Sequence, residues 1–144
     1  MKLKFRAWHK HQGWIKGLFI NDEGLICSWN YEENDITALV KDCVIVELFT
    51  GLLDKNRKEI FEGDIVKFTI RDTNPKFNIT EHISTCVVEW DKYNPCFVLK
   101  RIHKVRGNSF DFEYDFIKGD FAVIEIVGNI HENPELLKGE ENGS

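Results

Sequence analysis

The sequence predicts a mainly β fold, because segments of alternating polar and apolar residues recur about every ten positions while helical periodicity is scarce. Clusters of Gly, Asn, Asp and Pro separate these segments, as in sandwiches and barrels. The chain has 144 residues, of which 42% are hydrophobic, so it can bury a core of its own. We expect an antiparallel, barrel-like or SH3-like C-terminal part, a smaller N-terminal β portion and only short helices.

The N-terminal β portion is predicted to span residues 1–50. A polar connection that contains Gly13 should join its first two strands as a hairpin. Asn34 or Asp35 could cap a single helical turn over residues 36–39, ahead of a strand rich in β-branched residues. The predicted strands are 3–8, 14–20, 25–31 and 44–49.

The C-terminal β part is predicted to span residues 51–138, with a disordered tail over 139–144, although the whole chain is also compatible with one compact domain. A turn over 50–60 and a tight turn at Glu62-Gly63-Asp64 precede its strands. The predicted strands are 65–70, 83–90, 96–102 and 121–127, with a surface loop or long hairpin tip over 71–82.

Two further segments of the C-terminal part have recognisable patterns. Four aromatic residues alternate strictly and would share one face of an extended segment; they are Phe110, Phe112, Tyr114 and Phe116. Asn133 as N-cap and Pro134 at the first helical position predict a short C-terminal helix.

Charge and hydropathy narrow the functional classes. The formal net charge is −5, with Lys and Arg interspersed among Asp and Glu, which disfavours nonspecific binding of duplex nucleic acid. No apolar stretch reaches the length of a signal peptide or a transmembrane helix. We therefore expect a protein that stays in the cytoplasm where it is made and has no membrane partner.

Two clusters are candidates for metal binding, and each also has a structural explanation. Glu59, Glu62 and Asp64 could bind a divalent cation, but Gly-Asp at a strand entrance is ordinary turn chemistry. His9 and His11 would share one strand face, as exposed hairpin histidines also do. The cysteines lack chelate spacing and are expected to be reduced, without metal; they are Cys27, Cys43, Cys86 and Cys96.

One basic run is a candidate contact for single-stranded nucleic acid, with aromatic residues after it that could stack on bases. Its members are Lys100, Arg101, Lys104 and Arg106. Acids between those aromatic residues equally fit a half-buried strand, apolar on one face and charged on the other. The sequence contains no Gly-x-Ser-x-Gly elbow and no phosphate-binding glycine loop, so no catalytic residue and no cofactor is assigned.

Three segments together resemble the signature of the YopX family of phage and prophage proteins. They are Lys4-Phe5-Arg6-Ala7-Trp8, the stretch from Phe49-Thr50-Gly51-Leu52 to Gly63-Asp64-Ile65-Val66, and the stretch from Ile126-Val127-Gly128-Asn129-Ile130 to Asn133-Pro134-Glu135-Leu136-Leu137. Val87-Val88-Glu89-Trp90-Asp91 resembles the family's central hairpin. The clearest departure is Arg57, where the family usually has glycine, so either Arg57 or Asn56 should take a left-handed conformation.

The resemblance implies a phage or prophage origin and a mainly β fold. The family has no established activity and no catalytic residues that could be carried over to this sequence. The glycines and turn residues of the motifs are interpreted as structural; they are Gly51, Gly63, Asp64, Gly128, Asn133 and Pro134. We expect a noncatalytic binding or regulatory accessory that acts through a protein partner or as a homo-oligomer. The alternatives are a single-stranded nucleic-acid binder and a metal-dependent enzyme.

Overall fold

A computed structural model describes residues 4–30, 32–38, 43–72, 80–93, 96–102, 113–115 and 122–138. Within these ranges the chain forms twelve antiparallel strands and one 3-10 turn, Pro134–Leu137. The strands are β1 (Phe5–His9), β2 (Gly13–Trp14), β3 (Leu18–Ile20), β4 (Ile26–Asn30), β5 (Asp35–Ala38), β6 (Val44–Leu53), β7 (Glu59–Phe61), β8 (Asp64–Asp72), β9 (Thr80–Asp91), β10 (Cys96–Arg101), β11 (Glu113–Asp115) and β12 (Ala122–Asn129). The predicted mainly β, antiparallel fold is confirmed.

The chain divides into two units, residues 1–49 and 50–144. In the first unit, β1 lies between β2 and the first part of β6, and β3, β4 and β5 form a separate three-stranded meander. β1 and β6 pair in a register that places Arg6 opposite Glu47. The subdomain border predicted between residues 50 and 51 remains a prediction.

Two sequence-based expectations for the first unit are wrong. The expected strand over 14–20 is two strands, because Gly17 takes a left-handed φ of +69° and interrupts it. The expected helical turn over 36–39 begins instead as strand β5, which pairs with β4. Asn34, with φ of +50°, belongs to the hairpin loop between these strands and caps no helix.

The second unit contains a five-stranded sheet of order β11-β10-β9-β8-β12, which curls into a half-barrel. Its apolar core consists of Ile60, Val66, Phe68, Cys86, Val88 and Leu99, with Phe97, Ile124 and Ile126 packed against it. β8 and β9 pair from Ile65 opposite Val87 out to Asp72 opposite Thr80, so strand pairing continues at both ends of the stretch expected as a loop or hairpin tip.

The predicted turn over 50–60 is too long at both ends. β6 continues through Leu53, with an irregularity at Gly51, whose φ is +86°, and β7 begins at Glu59. The side chain of Thr50 supports this irregularity, since its Oγ1 donates to the Ile60 carbonyl at 2.8 Å and accepts from the Leu52 amide at 3.1 Å. The turn itself covers residues 54–58.

Arg57 holds the left-handed position of this turn, with φ of +65°, and Asn56 does not. A left-handed conformation costs a residue with a side chain about 1–2 kcal/mol, and glycine avoids that cost. We expect Arg57→Gly to raise the free energy of unfolding by about 0.5–1 kcal/mol, after the larger backbone entropy of glycine is subtracted. Urea unfolding of wild type and Arg57→Gly measures this gain in the free energy of unfolding. Asn56→Gly is the matched control, and an equal gain there would contradict the explanation.

Several predicted features lie wholly or partly outside the described residues: the end of the 36–39 turn, residues 73–79, Phe110, Phe112, Phe116 and the 139–144 tail. Tyr114 is described as part of β11, opposite Leu99. In the described part of the chain, no helix is long and apolar enough to cross a membrane.

Candidate functional site

The acidic motif of the sequence lies at the entrance of β8. Asp64 is buried, and its Oδ2 accepts a hydrogen bond from the Phe61 amide at 2.8 Å. Glu59 and Glu62 are half-buried and also have partners. Among the described residues, no three His, Cys, Asp or Glu side chains form a group that could hold a metal ion. Asp64 therefore stabilises the turn that precedes its own strand.

Gly63, in the same turn, connects three parts of the second unit. Its φ is +84°, its amide donates to the Val88 carbonyl at 2.8 Å, and its carbonyl accepts from the Ile130 amide at 2.9 Å. The glycine thus allows the backbone to turn while it bonds to β9 on one side and to the segment after β12 on the other.

Asp54 is a buried carboxylate that sequence reasoning did not single out. Its side chain is 6% exposed, and both oxygens accept hydrogen bonds from backbone amides. Oδ1 accepts from Asn56 at 2.8 Å and from Lys58 at 2.9 Å, which closes the turn, while Oδ2 accepts from Ile126 on β12 at 3.1 Å. One side chain therefore both forms the turn and fixes it to β12.

The pKa of Asp54 is lowered. Burial acts to raise this pKa, but the backbone hydrogen bonds from Ile126, Lys58 and Asn56, together with the positive charge of Lys58, lower it further than burial raises it. The ionised carboxylate is thus the form that the fold stabilises.

This lowered pKa predicts a contribution to stability that depends on pH. A carboxyl group with a lower pKa in the folded state contributes fully above its unfolded pKa, about 4, and the contribution is lost as pH falls through the folded value. We expect wild type to be more stable than Asp54→Asn by about 1–3 kcal/mol at pH 7, and the gap to narrow below about pH 4. Urea unfolding between pH 2 and pH 7 tests this, and a gap that does not change with pH would contradict it.

The loop after β12 is held by two asparagines. Asn129 is buried; its Oδ1 accepts from the His131 and Glu132 amides at 3.0 and 2.9 Å, and its Nδ2 donates to Glu132 Oε2 at 3.0 Å. Asn133 Oδ1 accepts from the Asn129 amide at 3.3 Å. Pro134 then begins the 3-10 turn. The third signature segment thus forms a strand end and a closed loop.

The N-terminal signature segment forms an ion pair inside the first unit. Arg6 Nε lies 2.7 Å from Glu47 Oε2, and the Glu47 side chain is 2% exposed. The Arg6 guanidinium also lies 4.5 Å from the centroid of the Trp14 ring, which packs edge-on against Trp8 with 5.0 Å between the two ring centroids. These contacts join β1 to β2 and β6.

His9 and His11 lie in the β1–β2 hairpin, with ring centroids 5.9 Å apart. His9 Nδ1 accepts hydrogen bonds from the His11 and Gln12 amides at 3.1 and 3.2 Å, so this nitrogen stabilises the turn. Of the four cysteines, Cys27 and Cys86 are buried and Cys43 and Cys96 are half-buried, and none of them forms a disulfide.

The basic run is described only at its beginning. Lys100 is exposed, and its Nζ lies 3.9 Å from Glu89 Oε2. Arg101 pairs through its backbone with Cys86. Lys104 and Arg106 lie outside the described residues. The described residues thus place one of the four cationic side chains, that of Lys100, beside an acid.

Exposed aromatic side chains lie at the end of the β9–β10 hairpin, and we call Trp90, Lys92 and Tyr93 the aromatic tip. Tyr93 is 82% exposed and Trp90 is 43% exposed. Lys92 Nζ lies 5.1 Å from the centroid of the Tyr93 ring, and Trp90 packs edge-on against Phe97, with ring centroids 4.8 Å apart. Asp91 Oδ1 accepts from the Tyr93 amide at 2.9 Å, which fixes the turn. The tip thus presents two exposed aromatic side chains and a lysine.

Comparisons with known proteins agree on one family and one fold. The family model of the YopX protein matches residues 4–138. The crystal structure of YopX from Bacillus subtilis is similar, with a TM-score of 0.56 and 18% identity over 92% of this chain and 95% of that chain. The EF1440 protein of Enterococcus faecalis has a TM-score of 0.52 and 21% identity over 96% and 99%. No curated protein matches the sequence.

Proposed function

The chain belongs to the YopX protein family, and we propose that it is a noncatalytic binding or regulatory accessory that acts through a protein partner or through self-association. The aromatic tip is the observation that carries this proposal. Trp and Tyr are the residues most enriched at the energetic centres of protein interfaces, because they bury a large area and lose few rotamers on binding. The proposed setting is the cytoplasm of a bacterium that carries a phage or prophage.

The buried polar residues of the signature segments also support this proposal, because their side chains have structural contacts. Asp54, Asp64 and Asn129 are buried, and their side chains accept backbone amide hydrogen bonds within the second unit. A general acid or base must reach a substrate proton, and a metal ligand must present a lone pair to the ion. The oxygens of these residues instead hold turns, while the exposed groups at the tip are aromatic and cationic.

Affinity capture with the full chain as bait tests the proposal, using lysate of the cells that naturally express the protein. We expect Tyr93→Ala to reduce recovery of the partner about tenfold or more, as for an interface hot spot. Ile83→Ala is the matched control, because Ile83 is also on β9 and exposed, away from the tip. Sedimentation of the purified variants applies the same comparison to self-association.

Nuclease treatment of half of each lysate separates the rival function. Lys92 beside the exposed Tyr93 ring is the observation that favours single-stranded nucleic acid, since stacking and charge together hold unpaired bases. Recovery that depends on Tyr93 and survives nuclease supports the protein partner. Recovery of nucleic acid alone, with no protein partner and no self-association, would reject the proposal.

A further inference from the structure

The outer edge of β12 is covered by the turn over residues 54–58. β12 pairs on one side with β8 and ends the sheet order. On its other side, the Lys55 amide donates to the Ile124 carbonyl at 2.9 Å, and the Ile126 amide donates to Asp54 Oδ2 at 3.1 Å. The turn therefore occupies an acceptor and a donor that a neighbouring strand would otherwise use.

The Asp54 carboxylate takes the place of a backbone carbonyl in this arrangement. A strand paired at the edge would offer an amide to Ile124 and a carbonyl to Ile126. Lys55 supplies the amide and Asp54 supplies the acceptor, and the ion pair of Lys55 Nζ with Glu125 Oε2 at 3.0 Å adds a third contact. Among the described residues, two hydrogen bonds and one ion pair thus join the turn to this edge.

We propose that the Asp54 turn is a guard over a strand-pairing surface, and that opening it allows β12 to pair with β12 of a second copy of this chain. Open strand edges are templates for another strand, and proteins cover them for this reason. The edge is rich in β-branched residues from Val123 to Val127. A bulge between Ile126 and Gly128 limits the flat part of the edge to the region that the turn covers.

A second copy fits this edge because the strand is compatible with itself in charge and register. In an antiparallel pair centred on Ile124, both Ile124 residues exchange an amide and a carbonyl. Glu125 then lies opposite Val123 of the other copy, so no like charges are directly opposed. This surface is separate from the aromatic tip, and it does not depend on the function proposed for the tip.

Asp54→Asn tests the guard selectively. The asparagine Oδ1 can still accept from the turn amides, but its NH₂ group would face the Ile126 amide, so the contact with β12 is lost while the turn is retained. We expect self-association at least about tenfold tighter than that of wild type in sedimentation velocity. Gly51→Ala is the control, because it strains the same hairpin at a left-handed glycine and leaves Asp54 in place.

A second substitution tests whether β12 is the surface that associates. Val123 is 48% exposed, and a glutamate there would lie opposite Glu125 of the other copy, so the pair would oppose like charges. Asp54→Asn with Val123→Glu should return to the association of wild type. If Asp54→Asn does not fold, Asp54→Ser replaces it in the same experiments. The serine hydroxyl can still accept a hydrogen bond within the turn, but its side chain is too short to reach the Ile126 amide.

Three results would overturn the proposal. The first is a folded Asp54→Asn variant, or Asp54→Ser in its place, that associates no more tightly than wild type. The second is a Gly51→Ala variant that associates as tightly as the Asp54 variant. The third is a double variant with Val123→Glu that retains the added association, which would place the contact on another surface. Loss of capture by Tyr93→Ala affects none of these outcomes.

Discussion

Arg6→Ala is expected to lower the free energy of unfolding by about 3 kcal/mol, because it removes the cation that lies 2.7 Å from the buried Glu47 carboxylate. Breaking a buried ion pair from one side typically costs about 3–5 kcal/mol. The lower end of this range applies here, because the Arg6 side chain is 22% exposed and water can occupy the space that it leaves beside Glu47. The contact of the guanidinium with the Trp14 ring is also lost.

Urea unfolding, monitored by tryptophan fluorescence and far-ultraviolet circular dichroism, measures this effect. The matched control is Arg6→Ala combined with Glu47→Gln, which removes the uncompensated charge and should recover part of the loss. A loss below about 1 kcal/mol for Arg6→Ala would show that the pair is worth no more than a surface salt bridge.

Gly128→Ala is expected to lower the free energy of unfolding by about 2–3 kcal/mol. An added Cβ would lie 2.6 Å from Asn133 Oδ1 and 2.8 Å from Asn133 Cγ, closer than packed atoms approach. The Asn133 side chain cannot move freely, because its Oδ1 accepts from the Asn129 amide and its Nδ2 donates to Glu135 Oε1 at 3.4 Å. The clash therefore costs both packing and hydrogen bonds.

A double-mutant cycle identifies the cause of that loss. In an Asn133→Ala background the two clashing atoms are absent, so Gly128→Ala should cost less than half of what it costs in wild type. Equal costs in the two backgrounds would show that glycine is needed at this position for a reason other than the side chain of Asn133.

Local chemistry predicted the features that depend on neighbouring residues. The turn at Gly63-Asp64 follows from the conformational freedom of glycine and the acceptor oxygens of aspartate, and the β9–β10 hairpin follows from two apolar runs around a polar connection. The interruption at Gly17 was less visible, because a single glycine between apolar residues is compatible with a continuous strand.

Long-range contacts could not be predicted from the sequence. Asp54 accepts from an amide 72 positions away, and Arg6 pairs with a glutamate 41 positions away. Both depend on which strands become neighbours and in which register, and a shift of one residue would turn each side chain to the other face. The exposure of Trp90 and Tyr93 depends in the same way on the packing around the hairpin.

We propose that the signature residues stabilise the fold and that binding takes place at the aromatic tip. Native-state hydrogen exchange of the wild-type protein, without any ligand, tests it most directly. The amides to examine are those that donate to buried signature side chains, namely Phe61, Ile126 and Glu132.

We predict that these three amides exchange through openings nearly as costly as those of the core strands β8 and β9, and much more slowly than the amide of Lys92 at the tip. A fold stabilised by Asp54, Asp64 and Asn129 requires this protection in the free protein. Rapid exchange at Phe61, Ile126 and Glu132, comparable to that at Lys92, would contradict the claim. It would indicate that these side chains are held in place only when a ligand is bound.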